Sequence, residues 1–198
     1  MAEAVPLVGL TGGMGAGKST ALVALEQMGA AVLSTDAVVH ALYESEPVRA
    51  AVVERWGEDV APGGAVDRAA VAARAFADED ERRWLEGVLW PLVGRRIAEW
   101  VQEARARQPS PRAAVVEVPL LFEAGMAPAF DATVAVVAEE SLRHARAAGR
   151  GHVLAEERDT RQLPQDEKAR QATYAVHNDG SVEDLRRELS AILDKLEG

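Results

Sequence analysis

Apolar positions along the chain change period several times, and each change marks an element. Val5 to Leu10 is a short unbroken apolar run ending in glycines, the pattern of a strand buried on both faces. A glycine-rich stretch follows, Thr11 to Gly17, unsuited to the interior of either regular structure. From Lys18 to Met28 the period is helical, with Leu22, Leu25 and Met28 on one face and Gly29 placed as the stop. Ala31 to Leu33 predicts a second strand, closed by the polar turn Ser34-Thr35-Asp36. Strand, loop, helix and strand in this order form a βαβ unit and predict a parallel sheet.

Residues 37–110 read as mostly helical. Val48 to Trp56 and Ala69 to Phe76 are apolar-periodic pieces separated by Pro62-Gly63-Gly64, and a longer helix spans about Asp80 to Gln108, with Pro91 expected to break or kink it. Strand character returns at Ala113 to Val118, ended by Pro119, then at Ala132 to Val137 and at Tyr174 to Val176. Residues 139–170 are charged, Arg-rich and helical in pattern. Ser181 with Asp184 approximates a capping box for a last helix, whose stripe Leu185, Leu189, Ile192, Leu193 and Leu196 is core packing.

A chain of 198 residues suits one compact α/β domain with small inserted subdomains. Hydrophobic residues at 48% and charged residues at 27% are ordinary for a globular protein. A formal net charge of −10 argues against general nucleic-acid binding and requires any anionic substrate to meet a locally basic site. The absence of cysteine removes disulfides, thiolate nucleophiles and Cys-ligated zinc. No apolar run has membrane-spanning length, and no basic segment precedes the first apolar run. The expected location is the cytoplasm, with neither a membrane nor an obligate protein partner in evidence. Lysine occurs only at positions 18, 168 and 195, against a background rich in arginine.

One motif decides the class. Gly12-Gly13-Met14-Gly15-Ala16-Gly17-Lys18-Ser19 matches G-x-x-x-x-G-K-[ST] between a predicted strand and a predicted helix, the context this motif requires. Glycines at such a bend let successive N–H groups turn inward onto phosphate oxygens, and the helix adds its positive end. Lys18 is the candidate for the β- and γ-phosphates, and Ser19 the candidate ligand of Mg²⁺. Gly13, Gly15, Ala16, Gly17 and Thr20 complete the nucleotide site. A guanine-reading Asn-Lys-x-Asp segment does not occur. The third strand ends Glu117-Val118-Pro119 in place of the Asp-Glu pair of mechanical ATPases. A small-molecule kinase needs a substrate insert and a water-excluding lid, and the helical and Arg-rich segments suit those needs.

Beyond this motif the chain resembles the dephospho-CoA kinase family over nearly its whole length. The resemblance rests on Leu10 to Thr20, on Val32-Leu33-Ser34-Thr35-Asp36, and on Val66-Asp67-Arg68 with Phe76. It continues in Val118-Pro119-Leu120-Leu121-Phe122-Glu123, in Arg146 and Arg150, and in Gln162, Glu167-Lys168 and Asn178-Asp179-Gly180. It departs from the family pattern at Ser34, where an Asp is usual, at Trp90, where a His precedes Pro91, and at Thr173.

The resemblance implies a three-layer P-loop kinase fold with a parallel β-sheet. Its core would be residues about 1–40, 111–138 and 171–198, its helical CoA-binding insert about 41–110, and its lid about 139–170. It implies ATP with Mg²⁺ as cofactors and dephospho-CoA as substrate, phosphorylated on the ribose 3′-hydroxyl in the last step of CoA biosynthesis. Asp36 is the candidate general base; as a residue beside a helix start it is equally an N-cap for a helix beginning at Ala37. Arg146 and Arg150 are candidate lid cations, with Arg143 sharing their helical face. Arg68, Trp90, Leu120 and Glu123 are candidates for the acceptor site, Glu117 for the Mg²⁺ shell, and Asn178 for the nucleotide. A kinase for another small hydroxyl compound (a nucleoside, shikimate or gluconate) and a catalytically impaired nucleotide-binding module remain the alternatives.

Overall fold

The structure, a computed structural model, describes residues 5–148 and 161–197. The chain divides into two compact units, Met1–Ser34 with Val101–Gly198, and Thr35–Trp100.

The first unit is built on a five-stranded parallel sheet. Its strands are β1 (Leu7–Gly12), β2 (Ala31–Ser34), β3 (Ala114–Glu117), β4 (Ala132–Val137) and β5 (Tyr174–His177), in the order β2-β3-β1-β4-β5. β1 begins and ends two residues later than its apolar run suggests, because its ladder to β4 continues as far as Gly12. β3 and β4 are buried at every position, as strands rich in Ala and Val should be in a parallel sheet, and only Glu117 and Thr133 interrupt their apolar runs.

The sheet carries helices on both faces. Val8 and Leu10 of β1 pack with Ala21, Ala24 and Leu25 of α1 (Lys18–Gln27) and with Leu185, Leu189 and Leu193 of the last helix. Gly9 and Thr11 alternate to the opposite face. A Cβ on Gly9 would lie 2.5 Å from Leu121 Cδ1, and Thr11 Oγ1 donates to the Pro119 carbonyl at 3.2 Å. The segment after β3 therefore lies directly over β1.

The second unit opens with α2 (Thr35–Tyr43) and α3 (Glu46–Trp56), followed by α4 (Arg68–Ala77) and α5 (Glu79–Arg105); the last five residues of α5 belong to the first unit. Its core is Val48, Val52, Val60, Val71, Ala75, Leu85 and Leu89. Asp67 caps α4 by accepting from Ala69 N at 2.9 Å and Ala70 N at 3.2 Å, an arrangement that contributes about 1 kcal/mol. Trp56 and Trp84 meet edge to face at 5.0 Å, and Trp56 Nε1 donates to Glu81 at 2.7 Å. Of the two outcomes expected at Pro91, the break does not occur, since α5 is one helix across it. One local expectation is corrected. α2 begins at Thr35, so Asp36 lies inside its first turn and is not the cap of a helix starting at Ala37.

The first unit closes with α6 (Glu140–Ala148), α7 (Gln165–Gln171) and α8 (Val182–Leu196). The capping box of α8 is formed in both directions: Asp184 N donates to Ser181 Oγ at 3.2 Å, and Ser181 N donates to Asp184 Oδ2 at 3.0 Å. No described helix is long and apolar enough to cross a membrane.

Candidate active site

The glycine-rich bend between β1 and α1 has the geometry of a phosphate cradle. Gly15 and Gly17 adopt φ of 73° and 96°, conformations that L side chains rarely take. Space adds a second reason for glycine. A Cβ at Gly15 would stand 2.3 Å from the Arg143 carbonyl oxygen, and one at Gly17 2.1 Å from Asn178 Nδ2. α1 starts at Lys18 with no side chain capping it, so an anion can meet the free N–H groups and the positive end of the helix dipole. Lys18 Nζ donates to the carbonyls of Gly12 at 2.9 Å and Gly13 at 3.1 Å, which places the ammonium across the mouth of the bend. Ser19 is exposed and Thr20 half-buried in the first turn, while Ala16 is fully buried. The bend fits the phosphates of a nucleoside triphosphate, and Ser19 at the first turn fits their Mg²⁺.

The outer wall of the cradle is supplied by distant segments. Arg143 of α6 donates from Nε to the Met14 carbonyl at 2.9 Å. Buried Asn178 donates from Nδ2 to the Ala16 carbonyl at 2.8 Å, and its own carbonyl accepts from Arg146 Nη1 at 3.1 Å. Arg146 and Asn178, both expected at the nucleotide, are thus joined to each other and to the loop. Arg150 lies outside the described residues. Glu117 sits at the C-terminal end of β3, paired in register with Leu10 on one side and Ser34 on the other, and is 9% exposed.

The acceptor-site candidates fall in two places. In the first unit, Leu120 is half-buried in the turn after β3. Glu123 Oε1 lies 2.9 Å from Lys168 Nζ and accepts from Leu163 N at 2.7 Å. In the second unit, Asp36 is exposed two residues beyond the end of β2. His40 stands one helical turn further along α2, and its Nδ1 is 2.9 Å from Arg68 Nη1. Trp90 is 53% exposed, against the burial expected of a core tryptophan.

Three participants are not among the site residues read from the sequence. His40 carries no local signature that separates it from other charged helix positions, and Arg143 carries only the helical face it shares with Arg146 and Arg150. Lys168 does carry one: it is one of three lysines in a chain that otherwise uses arginine, and the structure buries it completely.

A parallel sheet of this order, with the phosphate cradle between its first strand and first helix, defines a P-loop kinase fold. The dephospho-CoA kinase family model matches residues 6–184. The chain is 38% identical to the dephospho-CoA kinase of Anaeromyxobacter dehalogenans, over 97% of this chain and 92% of that one. It is also 38% identical to that of Deinococcus radiodurans, over 96% and 92% respectively. A crystal structure from Thermus thermophilus superposes with a TM-score of 0.81 at 33% identity, covering 99% of this chain and all of the other. The chain belongs to the dephospho-CoA kinase family, and it is a kinase of coenzyme A biosynthesis.

Proposed function

We propose that this chain transfers the γ-phosphoryl group of ATP to the ribose 3′-hydroxyl of dephospho-CoA, with Asp36 as the base. ATP and dephospho-CoA are the substrates of the family to which it belongs. The observation that carries the reading onto this chain's own atoms is the cradle at Gly13 to Ser19, uncapped by any side chain and closed by Lys18.

In this reading Gly13, Gly15, Ala16, Gly17 and Thr20 wrap the β- and γ-phosphates, and Asn178 and Arg143 hold the loop in shape behind them. Lys18 leaves the Gly12 and Gly13 carbonyls to follow the charge that builds on the transferring group. Ser19 would hold Mg²⁺, which would neutralise phosphate charge, and Glu117 at the end of β3 is the candidate for its hydration shell. Arg146 and Arg150 neutralise charge on the transferring phosphoryl group. Asp36 accepts the proton of the attacking hydroxyl. Arg68 binds a phosphate of the acceptor, while Trp90, Leu120 and Glu123 border its remaining parts. The reaction is cytoplasmic, with no nucleic acid, membrane or obligate protein partner.

The test is product identification after incubation with MgATP and dephospho-CoA. Mass spectrometry and phosphorus NMR should show one added phosphate on the ribose 3′-oxygen. Phosphate on any other oxygen contradicts the assignment, and tight ATP binding with no product from any acceptor favours an impaired module.

A further inference from the structure

Lys168 is fully buried, and its ammonium is placed where it joins three segments of the first unit. Nζ donates to the Pro119 carbonyl at 2.6 Å and to Thr11 Oγ1 at 3.5 Å, and lies 2.9 Å from Glu123 Oε1. Thr11 is the residue before the first glycine of the phosphate loop. Pro119 and Glu123 bracket the turn after β3. The same Glu123 oxygen accepts from Leu163 N, on the approach to α7. The other basic residue of α7, Arg170, faces outward in an exposed pair with Glu167. One ammonium therefore fixes the end of β1, the turn after β3, and α7 against each other.

Stability alone is a poor account of this cluster. Burying an ion pair is expensive, and replacing both partners by neutral groups of similar size is often neutral or favourable, whereas removing one leaves an uncompensated charge. The cluster is also incompletely satisfied: Glu123 Oε2 is buried without a donor among the described residues. What the ion pair does supply is fixed direction, because each of its hydrogen bonds constrains a different segment.

We infer that Lys168, with Glu123, is a positioning pair for phosphoryl transfer, setting the turn Pro119–Glu123 against the phosphate-loop strand. The inference rests on the proposed dephospho-CoA kinase reaction. Lys168 acts through Thr11, Pro119 and Glu123 and touches neither nucleotide nor acceptor. The contacts that shape the cradle itself, from Lys18, Arg143 and Asn178, do not involve it. Its loss should therefore lower kcat, where small displacements of reacting groups matter most, and leave the KM for ATP nearly unchanged.

The experiment compares the parent with K168M, with E123Q and with the double variant K168M/E123Q, recording Tm, kcat and both KM values. K168M strands a buried carboxylate, so its Tm should fall. The double variant carries no unpaired charge and keeps an acceptor for Leu163 N, so its Tm should recover most of that loss. Its kcat should remain about tenfold or more below the parent, with the KM for ATP within about twofold. Recovery of kcat together with Tm would show that the pair is only structural and would overturn the inference. So would a rise in ATP KM that accounts for the whole loss. Should the double variant fail to fold, E123Q decides: lowered kcat with the KM values for both ATP and dephospho-CoA unchanged supports the pair, and parental kcat, or a loss carried by the acceptor KM, overturns it. A parent inactive on dephospho-CoA would refute the reaction itself, an outcome visible before any variant is made.

Discussion

In the proposed reaction Lys18 and Asp36 divide the chemistry between them, and single substitutions separate their parts. Lys18→Ala removes the ammonium that lies on the Gly12 and Gly13 carbonyls while leaving the glycines that shape the loop. Turnover should fall by about a hundredfold or more, the loss expected for a transition-state contact worth ~3 kcal/mol, with an unchanged circular dichroism spectrum. Activity within about tenfold of the parent contradicts the role. Asp36→Asn keeps shape and an acceptor oxygen but cannot take a proton. Its kcat should collapse while the KM for ATP moves little. A collapse of ATP affinity instead would make Asp36 a metal or structural residue. Because Asp36 lies within the first turn of α2, its carboxylate also favours the positive end of that helix. Stability should therefore drop slightly in the same variant, by about 0.5 kcal/mol.

Along α5, Glu81 and Trp90 make different demands. Glu81 receives Arg55 at 2.7 Å and the Trp56 indole, tying the start of α5 to the end of α3. The Arg55 hydrogen bond first, and that of Trp56 next, hold the Glu81 carboxyl below its ordinary value of 4.5. A carboxylate whose folded pKa is depressed stabilises fully above its unfolded value, and that stability is lost as pH falls through the folded value. The Tm gap between the parent and Glu81→Gln, open at neutral pH, should thus close as the pH drops below about 4.5. A gap independent of pH would mean that the pairing adds nothing. Trp90, half in solvent one residue before Pro91, has little packing to lose. Trp90→His should shift the acceptor KM by roughly threefold or more, leaving the ATP KM and Tm nearly as they were. Lost stability with an unmoved acceptor KM would make Trp90 a packing residue.

The same elements show what a sequence can disclose. Apolar runs placed all five strands, and periodicity with Ser181 and Asp184 placed α8, because these signals are local. The start of α2 was not legible, since a helix boundary shifts by a residue or two without a local mark, and Pro91 alone did not tell a break from a continuous helix. The phosphate loop announced itself through spacing. Its outer wall was legible in part: the family resemblance pointed to Asn178 and Arg146, but the hydrogen bonds from Asn178 to Ala16 and from Arg143 to Met14 join segments more than a hundred residues apart. Lys168 was visible as a rare lysine, but its burial beside Thr11 and Glu123 is a property of the tertiary fold.

For the whole molecule, a parallel sheet presents the cradle at the carboxyl end of β1, and a separate helical unit carries Asp36, Arg68 and Trp90. Net acidity of −10 makes capture of a polyanionic acceptor depend on a few local arginines, so its KM should rise with salt more steeply than a neutral acceptor's. Family membership supplies the reaction, and the cradle supplies its phosphate site. Acceptor choice is therefore what tests the reaction. The direct measurement is kcat/KM, with saturating MgATP, for dephospho-CoA, adenosine, AMP, shikimate and gluconate in parallel. Dephospho-CoA should exceed every other acceptor by at least about a hundredfold, because only it offers both the nucleotide and the pantetheine arm to be gripped. Faster phosphorylation of shikimate, gluconate or a nucleoside than of dephospho-CoA would contradict the account.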